Sequence, residues 1–231
     1  EIGDRKMNKK RDLLAVIILL LGKYVIPYMI AFSLKYILRK DISSFQGQIL
    51  DFAIVIITFG VIVILYKDRI ICNIRDIFSK SFFSNIWILL SSTLIVLLAN
   101  ITISSLLINW GISSDNQEIL VTELHNNYII QFLSVVILAP VVEEAICRGV
   151  VFKIISKKSI ILGFIISSVI YALLHIDFQL ISDGISVLPL ILPYFILGVG
   201  FASVYYRTKN ICYSVLMHMM INLLFLLMEF Y

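Results

Sequence analysis

The sequence predicts an all-α, polytopic membrane helix bundle of about seven transmembrane helices, with the N-terminus in the cytoplasm. Composition is the first observation. Of 231 residues, 60% are hydrophobic and 15% charged, with a mean hydropathy of +1.00. A soluble domain is about 45–50% apolar and about 25% charged, and a core needs a polar skin that this chain cannot supply. The second is the spacing of apolar runs, which fall into seven stretches close to the ~20 residues a membrane helix requires. The third is the alternation of loop charge. Together they set aside a soluble enzyme, a disulfide scaffold, a disordered chain and a nucleic-acid module.

The candidate spans are roughly 13–38, 49–66, 86–108, 128–152, 159–176, 185–206 and 211–231. The first carries Lys23 and Pro27 and is expected to kink. The basic start runs into an apolar stretch too long for a cleavable signal and is read as this first span. Residues 67–83 mix Lys and Arg with Ile and Phe, which predicts a short amphipathic helix on the membrane surface; counting it gives eight helices. Pro189 and Pro193 lie four apart in the sixth span, where a kink can open a lateral path for substrate. With the N-terminus inside, 14 of the 19 basic residues fall on inner segments, among them Lys67, Arg69, Lys153, Arg207 and Lys209. The outer side keeps Lys35, Arg39 and Lys40 and is otherwise acidic, with Asp115, Glu118, Glu123, Asp177 and Asp183. The net charge of +4 therefore follows topology and is no sign of a nucleic-acid partner. Two regions are expected, N-terminal helices with the interfacial segment over 1–127 and a catalytic helix core over 128–231.

Ionisable groups at bilayer depth cost several kcal/mol unless paired or hydrated. The fourth span holds Glu143, Glu144 and Arg148. Glu144 and Arg148 are four apart and share a helix face, which predicts an ion pair. Glu143 lies about 100° around the helix, with no partner of its own there. His175 ends the fifth span, and His218 and Asn222 sit four apart on one face of the seventh. A lone intramembrane histidine is commonly a helix–helix hydrogen bond, but three polar positions on three apolar helices of one half of the chain predict a shared site. His125, in a polar outer loop, reads as a solvated surface histidine.

A carboxylate kept from bulk water holds its proton more tightly and becomes a competent base near neutral pH. A neighbouring histidine can share a water with it, while a second histidine and an amide can direct donors at a developing oxyanion. That describes hydrolysis of an amide bond by activated water. Two alternatives stay open. Glu143, His175 and His218 can form a zinc-type His₂Glu site, although the HExxH helix is missing. Cys147, four residues after Glu143, can be a nucleophile paired with a histidine. Otherwise Cys72, Cys147 and Cys212 form neither a disulfide framework nor a CxxC pattern.

These residues in this order resemble the CPBP family, the CAAX proteases and bacteriocin-processing enzymes also called Abi proteins. Its Pro-x-x-Glu-Glu-x-x-x-Arg-Gly motif is matched by Pro140, Glu143, Glu144, Arg148 and Gly149. Its aromatic-x-x-x-His motif is matched by Tyr171 and His175, and its His-x-x-x-Asn motif by His218 and Asn222, after Gly198, Gly200, Thr208 and Asn210. The resemblance covers about residues 128–228. It implies an intramembrane endopeptidase acting on a hydrophobic, prenylated or leader-type peptide. In such an enzyme Glu143 is the base, aided by His175, and His218 and Asn222 stabilise the oxyanion, while Glu144 and Arg148 hold the site together. No cofactor is committed by the sequence, a divalent metal such as zinc remaining an alternative. Cys147 and Tyr171 stand where the family usually has Phe and are read as packing positions. Bacterial relatives serve in bacteriocin immunity, peptide maturation and sensor-kinase control. They make the bacterial cytoplasmic membrane the expected location and a non-enzymatic membrane partner the competing role.

Overall fold

The structure, a computed structural model, describes residues 9–26, 29–30, 33, 44–78, 80–110, 127–175 and 188–228. Its helices, numbered in chain order, are α1 (Lys9–Leu20), α2 (Ser44–Ile77), α3 (Phe82–Asn109), α4 (Tyr128–Ile155), α5 (Ile160–Leu173), α6 (Leu188–Thr208) and α7 (Ile211–Met228). A π-helical turn, Leu21–Val25, extends α1. The expected kink at Pro27, the outer charges from Lys35 to Lys40, those of 115–123 and 177–183, and His125 lie outside the described residues.

Five of the described helices are long and apolar enough to cross a membrane, and the chain is an integral membrane protein. Their outward faces are apolar because lipid, not water, meets them. Ile57, Ile64, Ile95 and Ile129, for example, are all exposed. Aromatic residues stand at both ends of α3, with Phe83 and Trp87 near its start and Trp110 at its close, as suits the two headgroup levels. At 14 residues α5 is shorter, about 21 Å.

One expectation is corrected. Residues 67–77 do not form a separate surface helix but continue α2 as a single 34-residue helix. Such a helix is about 51 Å long, well beyond a hydrocarbon core of about 30 Å. Its charged end therefore stands past the apolar layer, which places Arg69 and Arg75 in polar surroundings without a break in the backbone.

The turns at 80–81, 156–159 and 209–210 join α2 to α3, α4 to α5 and α6 to α7, and so gather at one end of the bundle. They carry Lys80, Lys157, Lys158 and Lys209, the end that the loop charges assign to the cytoplasm. Asn210 builds the last turn. Its side-chain oxygen accepts from Cys212 N at 2.9 Å, its amide donates to Asn73 O at 2.7 Å, and Lys209 before it takes the left-handed conformation (φ 56°). The Tyr213 hydroxyl donates to Ile77 O at 2.9 Å, so the start of α7 is tied to the end of α2.

Helices in lipid associate through close packing at small residues. Gly198 of α6 is the clearest case: a Cβ there would stand 2.9 Å from Ser168 Cα in α5. Gly200 leaves the room that Val96 of α3 fills, a Cβ meeting its side chain at 2.5 Å. One large core cluster runs from Ala15 and Ile62 in the N-terminal helices to Ile146, Tyr171, Phe201 and Met217. The polar cluster lies inside this packing.

Candidate active site

α4 is not uniform. Its middle segment Ala139–Ile146 is flanked by π-helical stretches Phe132–Leu138 and Cys147–Phe152. Pro140 accounts for part of this, since it has no N–H to give. Ala139 N donates to Ser134 O, five residues back, so Val135 O loses its α-helical donor, and Pro140 cannot serve as its π-helical one. A buried carbonyl needs a partner. Asn222 of α7 supplies it, donating its side-chain amide to Val135 O at 2.8 Å.

Glu143 and Glu144 project from the segment between those widened turns. Glu144 and Arg148 are fully buried and paired at 2.6 Å, the i,i+4 contact that the spacing predicts. Arg148 also donates to Gly198 O at 2.7 Å, which the close α5–α6 packing brings within reach. Its guanidinium lies over the rings of Tyr171 and Phe201, at 5.1 and 5.3 Å. The Ser214 hydroxyl donates to the other oxygen of Glu144, and His218 Nδ1 lies 3.3 Å from Glu144 Oε1. Four helices are thus locked together around one carboxylate.

Glu143 Oε2 approaches both histidines, 3.5 Å from His175 Nε2 and 4.0 Å from His218 Nε2. The approach of His175 follows from helix lengths. Measured from the shared turn at 156–159 it is natural: Glu143 precedes that turn by 13 residues and His175 follows it by 16, about 20 and 24 Å along their helices. His175 sits on the turn closing α5, and its Nδ1–H donates to Tyr171 O at 2.9 Å. A carbonyl only accepts, so Nδ1 carries a proton and Nε2 is the nitrogen turned toward Glu143. The ring stacks on Tyr194 of α6 with centroids 5.0 Å apart. His175 keeps 21% of its side-chain surface exposed against 7% for Glu143, which makes it the open side of the cluster.

His218 is buried and stacked on Phe201, with centroids 4.4 Å apart. The acceptor-only carboxylate beside its Nδ1 favours a proton there, and its Nε2 lies 3.2 Å from the Tyr171 hydroxyl. Of the residues expected in the site, Glu143, Glu144, Arg148, His175 and His218 therefore share one cluster, and Asn222 stands one turn along α7 from His218 against Val135. Sequence reasoning missed three contributors: Tyr171 through its hydroxyl, Ser214, and Gly198 as acceptor for Arg148. Ser214 was visible as the third member of an i, i+4, i+8 row with His218 and Asn222. Cys147 is buried in the apolar core beside Val150 and Ile146. Among the described residues no group of three or more His, Cys, Asp or Glu is arranged to hold a metal ion. The Tyr171 hydroxyl stands against the nitrogen that His218 would offer, so the donor set does not fit a zinc-type site as it stands.

The fold and cluster define a membrane-embedded helical bundle with a buried Glu–His–His centre. Residues 125–224 match the family model described as type II CAAX prenyl endopeptidase Rce1-like. Over that stretch, under half of its length, the chain is similar to this family of membrane endopeptidases, in keeping with its resemblance to the CPBP proteins. No curated protein and no solved structure matches the chain.

Proposed function

We propose that the chain is an intramembrane endopeptidase that cleaves a hydrophobic, prenylated or leader-type peptide by activated water. The observation that carries this reading is the 3.5 Å approach of Glu143 Oε2 to His175 Nε2, with His175 held as the Nδ1–H form by Tyr171 O. A water seated beside the pair has two acceptors within hydrogen-bonding reach. Glu143 takes one of its protons while the oxygen attacks the scissile carbonyl carbon. The proton then passes to the departing amine nitrogen as the C–N bond breaks, leaving a free amine and a new carboxylic acid that keeps the second water proton.

The oxyanion side is assigned to His218 and Asn222. With His218 Nε2 against the Tyr171 hydroxyl, the proton shared by these two groups is the donor at hand, and Asn222 retains a second N–H beyond the one given to Val135. Glu144 and Arg148 position His218 and α6 and take no part in bond changes. No step runs through a metal. The bacterial cytoplasmic membrane is the location that accompanies this reading. The test is product analysis: purified protein in lipid nanodiscs is incubated with a prenylated peptide ending in a CAAX sequence and with apolar leader peptides, and products are identified by mass spectrometry. Cleavage of one class at a fixed bond is expected. A panel left intact by folded protein would sink the proposed substrate class.

A further inference from the structure

At the cytoplasm-assigned end of the bundle, the described residues enclose a cavity of about 790 Å³ between the ends of α2, α4 and α6 and the starts of α3 and α7. Four cationic side chains line it, Arg69, Lys153, Arg207 and Lys209, against the single carboxylate of Asp76. The cavity touches α4 through Ala145 and Gly149, which share a face four residues apart. Ala145 is about 200° around the helix from Glu143, so α4 stands between this cavity and the Glu143–His175 pair.

Two of these cations, Arg69 and Lys209, have no anion within hydrogen-bond distance among the described residues. Arg69 Nη1 lies 3.8 Å from Asp12 Oδ1, beyond hydrogen-bond reach, and its buried Nη2 has no acceptor among the described residues. Lys209 sits with Nζ 3.7 Å from the centre of the Tyr206 ring. Partial burial lowers its pKa below the usual lysine range. Arg207 and Lys209 are exposed, so the cavity has a charged mouth above an inner guanidinium.

We infer that this cavity binds a phosphate group, carried either by an acidic phospholipid headgroup or by a small soluble phosphate. Arginine offers planar paired donors that suit phosphate, and lysine a point charge. Basic pockets between transmembrane helices at the cytoplasmic side are suited to anionic headgroups. The inference stands apart from the peptidase reading, since none of these residues belongs to the Glu143 cluster.

The test is the melting temperature of the full chain in nanodiscs. Phosphatidylcholine alone is compared with phosphatidylcholine containing phosphatidylglycerol, and with phosphatidylcholine plus inorganic phosphate at constant ionic strength. Lys153→Gln/Arg207→Gln removes cavity charge, Arg207→Gln alone guards against misfolding of the double variant, and Lys157→Gln/Lys158→Gln removes charge from the same end outside the cavity. A rise of several degrees is expected in at least one anionic condition, reduced by half or more in the cavity variants and kept in the outside variant. A rise with phosphatidylglycerol only identifies a headgroup, and one with inorganic phosphate a soluble ligand. No rise in either condition, a rise the cavity variants keep, or an equal loss in the outside variant would overturn the inference.

Discussion

Replacing Arg148 by Met is the sharpest test of how the site is held. The guanidinium is fully buried, with one nitrogen 2.6 Å from Glu144 and another 2.7 Å from Gly198 O, between two aromatic rings. Met fills much of the same volume but leaves Glu144 as a buried carboxylate with only Ser214 and His218 beside it. Removing one partner of a buried pair costs about 3–5 kcal/mol, because the remaining charge is uncompensated, whereas removing both is far cheaper. Arg148→Met is therefore expected to lose about 3–5 kcal/mol of stability, and Glu144→Gln/Arg148→Met to recover part of that loss. The coupling energy should reach about 1–3 kcal/mol. Denaturant unfolding of all four proteins in detergent closes the cycle. A single-variant cost below about 1 kcal/mol, or additive costs, would refute the claim that this pair anchors α4 to its neighbours.

Three further outcomes follow from named contacts. Tyr171→Phe leaves the buried His218 Nε2 without its hydroxyl, so stability should fall by about 1–3 kcal/mol. Turnover should drop toward the ~10²–10³-fold loss typical of a missing oxyanion donor, and unchanged turnover would reduce Tyr171 to a packing residue. Gly198→Ala forces a methyl to 2.9 Å from Ser168 Cα; it should cost about 1–3 kcal/mol by overpacking, and a neutral effect on melting would mean that α5 and α6 are not in such close register. Dialysis against a chelator should leave cleavage rates unchanged, while loss of activity restored by zinc would return the His₂Glu alternative to first place.

Much of the site was legible because intramembrane charge is expensive and helical spacing is rigid. The Glu144–Arg148 pair follows from an interval of four residues, and the convergence of Glu143, His175 and His218 from the concentration of polar groups on three apolar helices. The hidden parts depend on backbone register. Nothing in the residue pattern gives the rerouting of Ala139 N to Ser134 O that frees Val135 O for Asn222. The charged end of α2 was misread because an amphipathic stretch suits a surface helix and the protruding end of a long one equally well. Tyr171 was taken for packing, although a buried tyrosine hydroxyl must find a partner, and one turn from His175 that partner was bound to lie in the polar cluster.

The central claim is that Glu143 is the base that activates water. The most direct measurement is the single-turnover cleavage rate of Glu143→Gln beside the parent protein, on whichever peptide the parent cuts, with melting temperatures recorded in parallel. The side chains are isosteric, so folding should persist while the rate falls by about 10²–10⁴-fold, the usual contribution of a positioned base. A folded Glu143→Gln protein cutting at the parental rate would contradict the account.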